Sequence, residues 1–166
     1  FFFLILFLFN ISISISAEKT VFIDIDYVLN NSIIGKSIYK ELDNLNKNNL
    51  KTLNSKEKII KEMKDNIERT KNVSSKEKLQ NDVNEFNKQV SLFKKEKDKL
   101  LNEFKSKKKN KLDKFLNDIN PIIQEYMKKN SIDIVLEKNQ IFIGNKNKDI
   151  TLDIIELINK RLTNDG

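Results

Sequence analysis

The chain has 166 residues, a formal net charge of +7, three Gly, one Pro, and neither Cys nor His. Without Cys and His it can form no disulfide, no ordinary zinc site, no Ser-His-Asp triad and no Cys nucleophile. Three glycines also leave little material for phosphate-binding or oxyanion loops. We therefore predict that the protein is not an enzyme, and we expect no cofactor, no catalytic residues and no bound metal.

Residues 1–17 form the first distinct segment. They are almost entirely apolar, carry no charge before Glu18, and end in the small residues Ser16 and Ala17. The apolar run is short for a bilayer span, which needs about 20 residues, and small residues before a charged segment are typical of a secretory signal peptide. We expect a partial signal peptide cleaved after Ala17, with an uncleaved N-terminal anchor as the alternative.

The first structured element is predicted at residues 19–26. Apolar and polar residues alternate there, so Val21, Ile23 and Ile25 share one face of a predicted strand. One helical turn is expected over residues 27–31, before a long helix that begins near Gly35.

The longest element is a predicted antiparallel helical hairpin over residues 36–120, here called the arm. No Gly or Pro interrupts these residues, and apolar side chains recur at steps of three and four. The tip is expected at residues 72–75, where Ser75 can cap the returning helix. Only 24 of the 85 arm residues are apolar, so we expect the seam between the helices to be thin and to loosen toward the tip.

Three large aromatic residues and a lysine run are the candidate binding residues of the arm. Phe86, Phe93 and Phe104 are larger than a two-helix seam requires, so they are either seam residues or a surface for a partner. The arm carries 23 Lys and Arg against 14 Asp and Glu, which is +9, whereas the rest of the chain carries 8 against 10. This charge favours an acidic partner, although biased composition also explains a preference for Lys. The lysine run is Lys105, Lys107, Lys108, Lys109 and Lys111.

The remaining residues, 18–35 and 121–166, are expected to form one small body. Pro121 either kinks the returning helix or starts a new one. The pattern then predicts a strand over Ile132–Glu137, a turn, a hairpin partner over Ile141–Ile143, and a final helix with Thr151 as its N-cap. Some sixty residues cannot easily anchor such a long arm alone, so we predict self-association. The candidate oligomerisation residues are Val21, Ile23, Ile25, Ile134 and Leu136.

The order of several local strings resembles the Skp (OmpH-like) family of periplasmic chaperones of Gram-negative bacteria. The strings are Val21–Leu29 followed by Gly35-Lys36, Asn120–Ile123, Ile132–Leu136, and Asp149–Thr151 with Ile154. The resemblance covers residues 19–163. It implies an α+β fold: a small β-rich trimerisation body with a long helical hairpin, or tentacle, inserted between strands.

The same resemblance implies the function and location. Members are periplasmic homotrimers that hold unfolded outer-membrane proteins without ATP. The expected partners are therefore unfolded outer-membrane β-barrel proteins and the chain itself, with an anionic membrane surface or lipopolysaccharide as a further candidate. No lipopolysaccharide-binding motif can be carried over to this sequence.

Three other functions are weighed against a chaperone. A structural coiled-coil spacer of the cell envelope needs regular heptads, and this seam is irregular. A nucleic-acid binder is consistent with the basic arm but not with export, so we expect no nucleic-acid partner. Asp24 and Asp26 could be paired carboxylates of an enzyme, although capping or hydrogen bonding between subunits is the more common role of such residues.

Overall fold

The computed structural model describes residues 18–162, so the signal peptide expected at residues 1–17 lies outside the described residues. None of the helices within residues 18–162 is both long enough and apolar enough to cross a bilayer. The elements in chain order are strand β1 (Thr20–Ile23), helix α1 (Ile25–Asn31), helix α2 (Ile33–Thr70), helix α3 (Lys76–Lys129), strand β2 (Ile134–Glu137) and helix α4 (Thr151–Leu162). Short 3-10 turns cover Lys138–Gln140 and Lys146–Lys148.

The predicted helical hairpin is confirmed by α2 and α3. Their 38 and 54 residues correspond to about 57 and 81 Å at 1.5 Å per residue. The side chain of Ser75 caps α3 by accepting a hydrogen bond from the backbone N–H of Lys78 at 3.3 Å. Helix α3 continues through Pro121 instead of restarting there, so both helices run from the tip directly into the body.

The strand expected over residues 19–26 is shorter than predicted. It ends at Ile23 because the Asp24 side chain accepts a hydrogen bond from the N–H of Tyr27 at 2.8 Å and so caps helix α1. The prediction that Ile25 extends the strand is therefore wrong, since Ile25 is the first residue of α1.

The corner between α1 and α2 depends on a close backbone approach. The Ser32 side chain caps α2 and accepts from the N–H of Gly35 at 3.2 Å. A Cβ atom at position 35 would lie 1.8 Å from the carbonyl oxygen of Leu29. Only glycine can occupy this position without moving α1 away from α2.

The two strands pair in parallel, with Thr20 opposite Ile134 and Ile23 opposite Glu137. On the other edge of β1, the N–H of Ile150 donates to the carbonyl oxygen of Phe22 at 3.0 Å. The predicted hairpin between Ile132–Glu137 and Ile141–Ile143 is wrong. A 3-10 turn over Lys138–Gln140 follows β2 in place of a hairpin turn, and residues 141–143 pair with no strand among the described residues, although the far edge of β2 has no strand beside it there.

The final helix begins at the predicted place but is capped differently. Thr151 is its first helical residue, not its N-cap. The Asp149 carboxylate accepts from the N–H of Thr151 at 3.0 Å, while the Thr151 hydroxyl accepts from the N–H of Asp24 at 2.9 Å. This pair of contacts joins the start of α4 to the end of β1.

The hydrophobic core lies where α1, α4 and the sheet meet the ends of α2 and α3 that are remote from the tip. Its most deeply buried residues include Val28, Phe115, Ile119, Ile154 and Ile158. No side chain of residues 43–114, here called the outer arm, is buried to this degree. The outer arm is therefore a two-helix extension with a shared seam but no core of its own.

Candidate functional site

The outer arm is held together by a seam of half-buried side chains. Phe86 and Phe93 are half-buried in the described structure, and Phe104 also packs against the edge of the core. The three aromatic residues that were candidates for client binding therefore lie along the seam, each with only part of its surface open to a partner.

Three ion pairs across the seam show how the helices align. Lys56 of α2 pairs with Glu96 of α3. Nearer the body, Glu41 of α2 bridges Lys107 at 3.2 Å and Lys111 at 2.7 Å. In an antiparallel pair, Lys56 opposite Glu96 and Glu41 opposite Lys111 put Leu50 at about the level of residue 102, one residue from Leu101.

The predicted lysine run is divided between paired and unpaired side chains. Lys107 and Lys111 are held by Glu41, and hydrogen bonds from Lys111 and then Lys107 hold the pKa of that carboxyl below its usual value. Lys109 pairs with Asp113 one turn further along α3, at 2.5 Å. Lys105 and Lys108 are exposed and form no ion pair within residues 18–162. The five lysines are thus not equivalent as binding groups.

The outer arm also exposes four large aliphatic residues that the sequence analysis did not single out. Leu50 and Leu101 are each 49% exposed, while Ile59 and Leu92 are 55% and 48% exposed. The steps of three and four that predict the seam include Leu50, whereas the structure buries its neighbour Asn49 more deeply. They pass over Ile59, Leu92 and Leu101, each of which is adjacent in sequence to a seam residue. The signal that could have found them is an apolar residue directly beside a seam position.

The candidate oligomerisation residues are not on one surface. Val21 and Ile23 are each only 3% exposed, because they face the chain's own core. Ile25 also packs against that core, from helix α1. Ile134 and Leu136, in contrast, are exposed on the outer face of β2. Within this structure, only the β2 residues of the set remain available to a second copy.

Further exposed apolar side chains in the body were missed by the sequence analysis. Phe142 is 98% exposed and Ile143 is 83% exposed. Gly144 lies against the ring of Phe22, since a Cβ atom at position 144 would come within 2.8 Å of it. Phe22 is opposite Leu136 in the sheet. The segment that carries Phe142 and Ile143 therefore crosses the outer face of the sheet. Here, body face denotes Ile134, Leu136, Phe142 and Ile143.

A concave region lies between the end of α3 and α4. The Tyr126 hydroxyl donates to the Asp153 carboxylate at 2.5 Å, and burial, followed by this carboxylate, raises the pKa of Tyr126 to about 12. Arg161 donates to Glu125 at 2.5 Å across the same region. These pairs join α4 to α3, so we assign the region to the stability of the body.

Comparisons with known proteins agree with this architecture. The family model for outer membrane protein (OmpH-like) matches residues 19–158. A solved structure from Caulobacter crescentus, described as an OmpH-like outer membrane chaperone, is similar with a TM-score of 0.80 and 12% sequence identity, over 88% of this chain and 86% of that chain. A search of curated protein sequences found no match.

Proposed function

The chain belongs to the OmpH-like family of outer membrane proteins, and we propose that it is an ATP-independent holdase chaperone of the periplasm. It binds unfolded outer-membrane β-barrel proteins, prevents their aggregation and aids their delivery to the outer membrane. A chaperone role is supported by the family and by the description of the structural neighbour. The holdase mechanism and the class of client are our proposal.

The outer arm is the observation that carries this proposal. None of its side chains is fully buried, and four aliphatic residues among them are about half exposed. Unfolded barrel proteins expose strands of alternating apolar residues, which aggregate when left uncovered. A long surface of weak apolar contacts can cover such strands, and it can release them without chemical work because each contact is individually weak.

The charge of the arm supports the same proposal. The arm's net charge of +9 attracts acidic polypeptides at a distance. This attraction weakens as the salt concentration rises. Such attraction raises the rate of capture without making release slow. A rigid spacer has no use for this charge, and the absence of a buried seam in the outer arm also speaks against a rigid rod.

We further propose that the chain assembles with itself, as a homotrimer, through the body face. Four large apolar side chains at one surface of a small body are a costly exposure for a monomer. Pairing these faces around a symmetry axis would bury them and bring three arms together around a shared cavity. The arms would then surround one client from several sides.

The decisive experiment is the refolding of a urea-denatured outer-membrane β-barrel protein by dilution, with and without this chain and without nucleotide. We expect light scattering to fall as the chain approaches equimolar amounts with the client. An unrelated protein of similar size and net charge serves as the control. Scattering that is equally high with this chain and with the control would refute the holdase function.

A further inference from the structure

The exposed aliphatic residues of the outer arm lie on two different sides of it. Successive helical residues turn by about 100°, so a residue that follows a seam position lies on one side of the arm and a residue that precedes one lies on the other. Leu50 and Leu101 follow the half-buried residues Asn49 and Leu100. In an antiparallel pair the two following positions share a side, here called the front.

The opposite side, here called the back, is defined by Ile59 and Leu92. These residues precede the half-buried seam residues Ile60 and Phe93. All four line one shallow groove together with Gln89 and Lys56, which shows that Ile59 and Leu92 lie on the same side. Each side of the outer arm therefore carries one pair of aliphatic residues of similar exposure.

The lysines around the two pairs differ in whether they are neutralised. On α3, exposed lysines lie four and seven residues to either side of Leu101, and none forms an ion pair within residues 18–162. They are Lys94, Lys97, Lys105 and Lys108. Asp98 of α3 and Glu57 of α2, which lies seven residues after Leu50, add two negative charges to this side.

On the back, acidic residues hold most of the neighbouring lysines; the exception is Lys95, three residues after Leu92, which is exposed and forms no ion pair within residues 18–162. Lys88 lies 3.6 Å from Glu85, and Lys99 lies 3.8 Å from Glu103. Lys56 is paired with Glu96. The excess positive charge near the aliphatic residues is thus available for a partner on the front but largely compensated on the back.

We propose that the front is the client-binding side of the arm and that the back is turned away from the client. This inference rests on the proposed holdase function and assigns that function to one surface. The client segment it fits is extended polypeptide in which an apolar residue has an acidic residue two positions away, as where the apolar alternation of a barrel strand ends.

The spacing along the helix supports this class of segment. Lys97 and Lys105 each lie four residues from Leu101, which is about 6 Å along the axis at 1.5 Å per residue. In an extended chain, residues two positions apart share a face and are about 6.6 Å apart. An apolar client residue that contacts Leu101 therefore places an acidic neighbour at i−2 or i+2 close to the ammonium group of Lys97 or Lys105.

The test compares two matched double variants in the aggregation assay. Leu50→Ser with Leu101→Ser removes the front pair, and Ile59→Ser with Leu92→Ser removes the back pair; all four side chains are 48–55% exposed. We expect the front variant to require about tenfold more protein for half-maximal suppression, as lost apolar contacts predict. We expect the back variant to match the unmodified chain. Equal losses in both variants, or a larger loss in the back variant, would overturn the assignment.

A second measurement does not depend on how well the serine variants fold. The chain contains no Cys, so Leu101→Cys or Leu92→Cys introduces a single attachment point for a benzophenone crosslinker. We expect client to crosslink from position 101 several-fold more than from position 92. Crosslinking that favours position 92 would refute the proposal even if the serine variants unfold. Failure of the unmodified chain to suppress aggregation would instead refute the holdase function itself.

Discussion

The body and the outer arm contain the same kinds of apolar residue but bury them to different degrees. In the body, Phe115, Ile119, Ile154 and Ile158 are each at most 1% exposed, so they contribute the full free energy of burial. In the outer arm none of the seam residues is fully buried. The body therefore gains the stability, while the arm keeps apolar surface available and remains able to open. Apolar surface that is buried inside the chain cannot bind a client. The proposed ATP-independent holdase therefore needs a stable body and, separately, an arm whose apolar residues stay partly exposed.

The largest effect should come from breaking the body's association with other copies. Phe142 is 98% exposed, so Phe142→Asp removes no contact within the chain but places a charge in the proposed interface. We expect the assembly to dissociate to monomers at micromolar concentration, as measured by sedimentation velocity. Ile59→Asp, at a half-exposed site on the arm, is the matched control and should leave the assembly intact. A persistent trimer of the Phe142 variant would place the interface elsewhere.

The next prediction concerns the free energy of unfolding. Phe115→Ala creates a cavity in the core and should cost about 3–5 kcal/mol. Phe86→Ala in the half-buried seam should cost roughly half as much, because less surface is lost. Denaturant titration at one fixed protein concentration measures both, since self-association makes stability depend on concentration. Equal costs would show that the outer arm is packed as tightly as the body.

The smallest effect should come from the ion pairs of Glu41 with Lys107 and Lys111, near the body end of the arm. The pKa of Glu41 is lowered from 4.5 by Lys111 and Lys107, so its contribution to stability is present above about pH 4.5 and is lost as pH falls through the lowered pKa. Glu41→Gln should therefore lower the Tm slightly at pH 7, and the difference should vanish in acid. Glu57→Gln, at a residue with no ion pair within residues 18–162, should leave the Tm unchanged at both pH values.

Much of the helical architecture could be predicted because its signals are local. Apolar residues at steps of three and four identified α2 and α3. Ser75 as a cap, with Glu77 in the first turn after it, marked the start of the returning helix. The body was harder to predict. The alternation of Val21 and Ile23 predicts one buried face but does not say whether the same chain or another copy covers it. The structure shows that the same chain does.

Two features had no reliable signal in the sequence. Residues 141–143 are as apolar as a strand, yet they pair with no strand among the described residues, because the 3-10 turn after β2 does not return the chain along the free edge of β2. The front and back of the outer arm also cannot be separated by pattern alone. Their difference depends on which lysines find an acidic partner, and that requires the alignment of α2 against α3.

The parallel pairing of β1 with β2 has a consequence for the order of folding. Thr20 pairs with Ile134, so the first strand has no partner until the whole helical hairpin has been synthesised. Contacts between residues so far apart in sequence form slowly, since loop closure costs entropy before pairing repays it. A helical hairpin that forms from its tip toward the body brings the two strands together. The arm therefore folds first and positions β1 and β2 to pair, which completes the body.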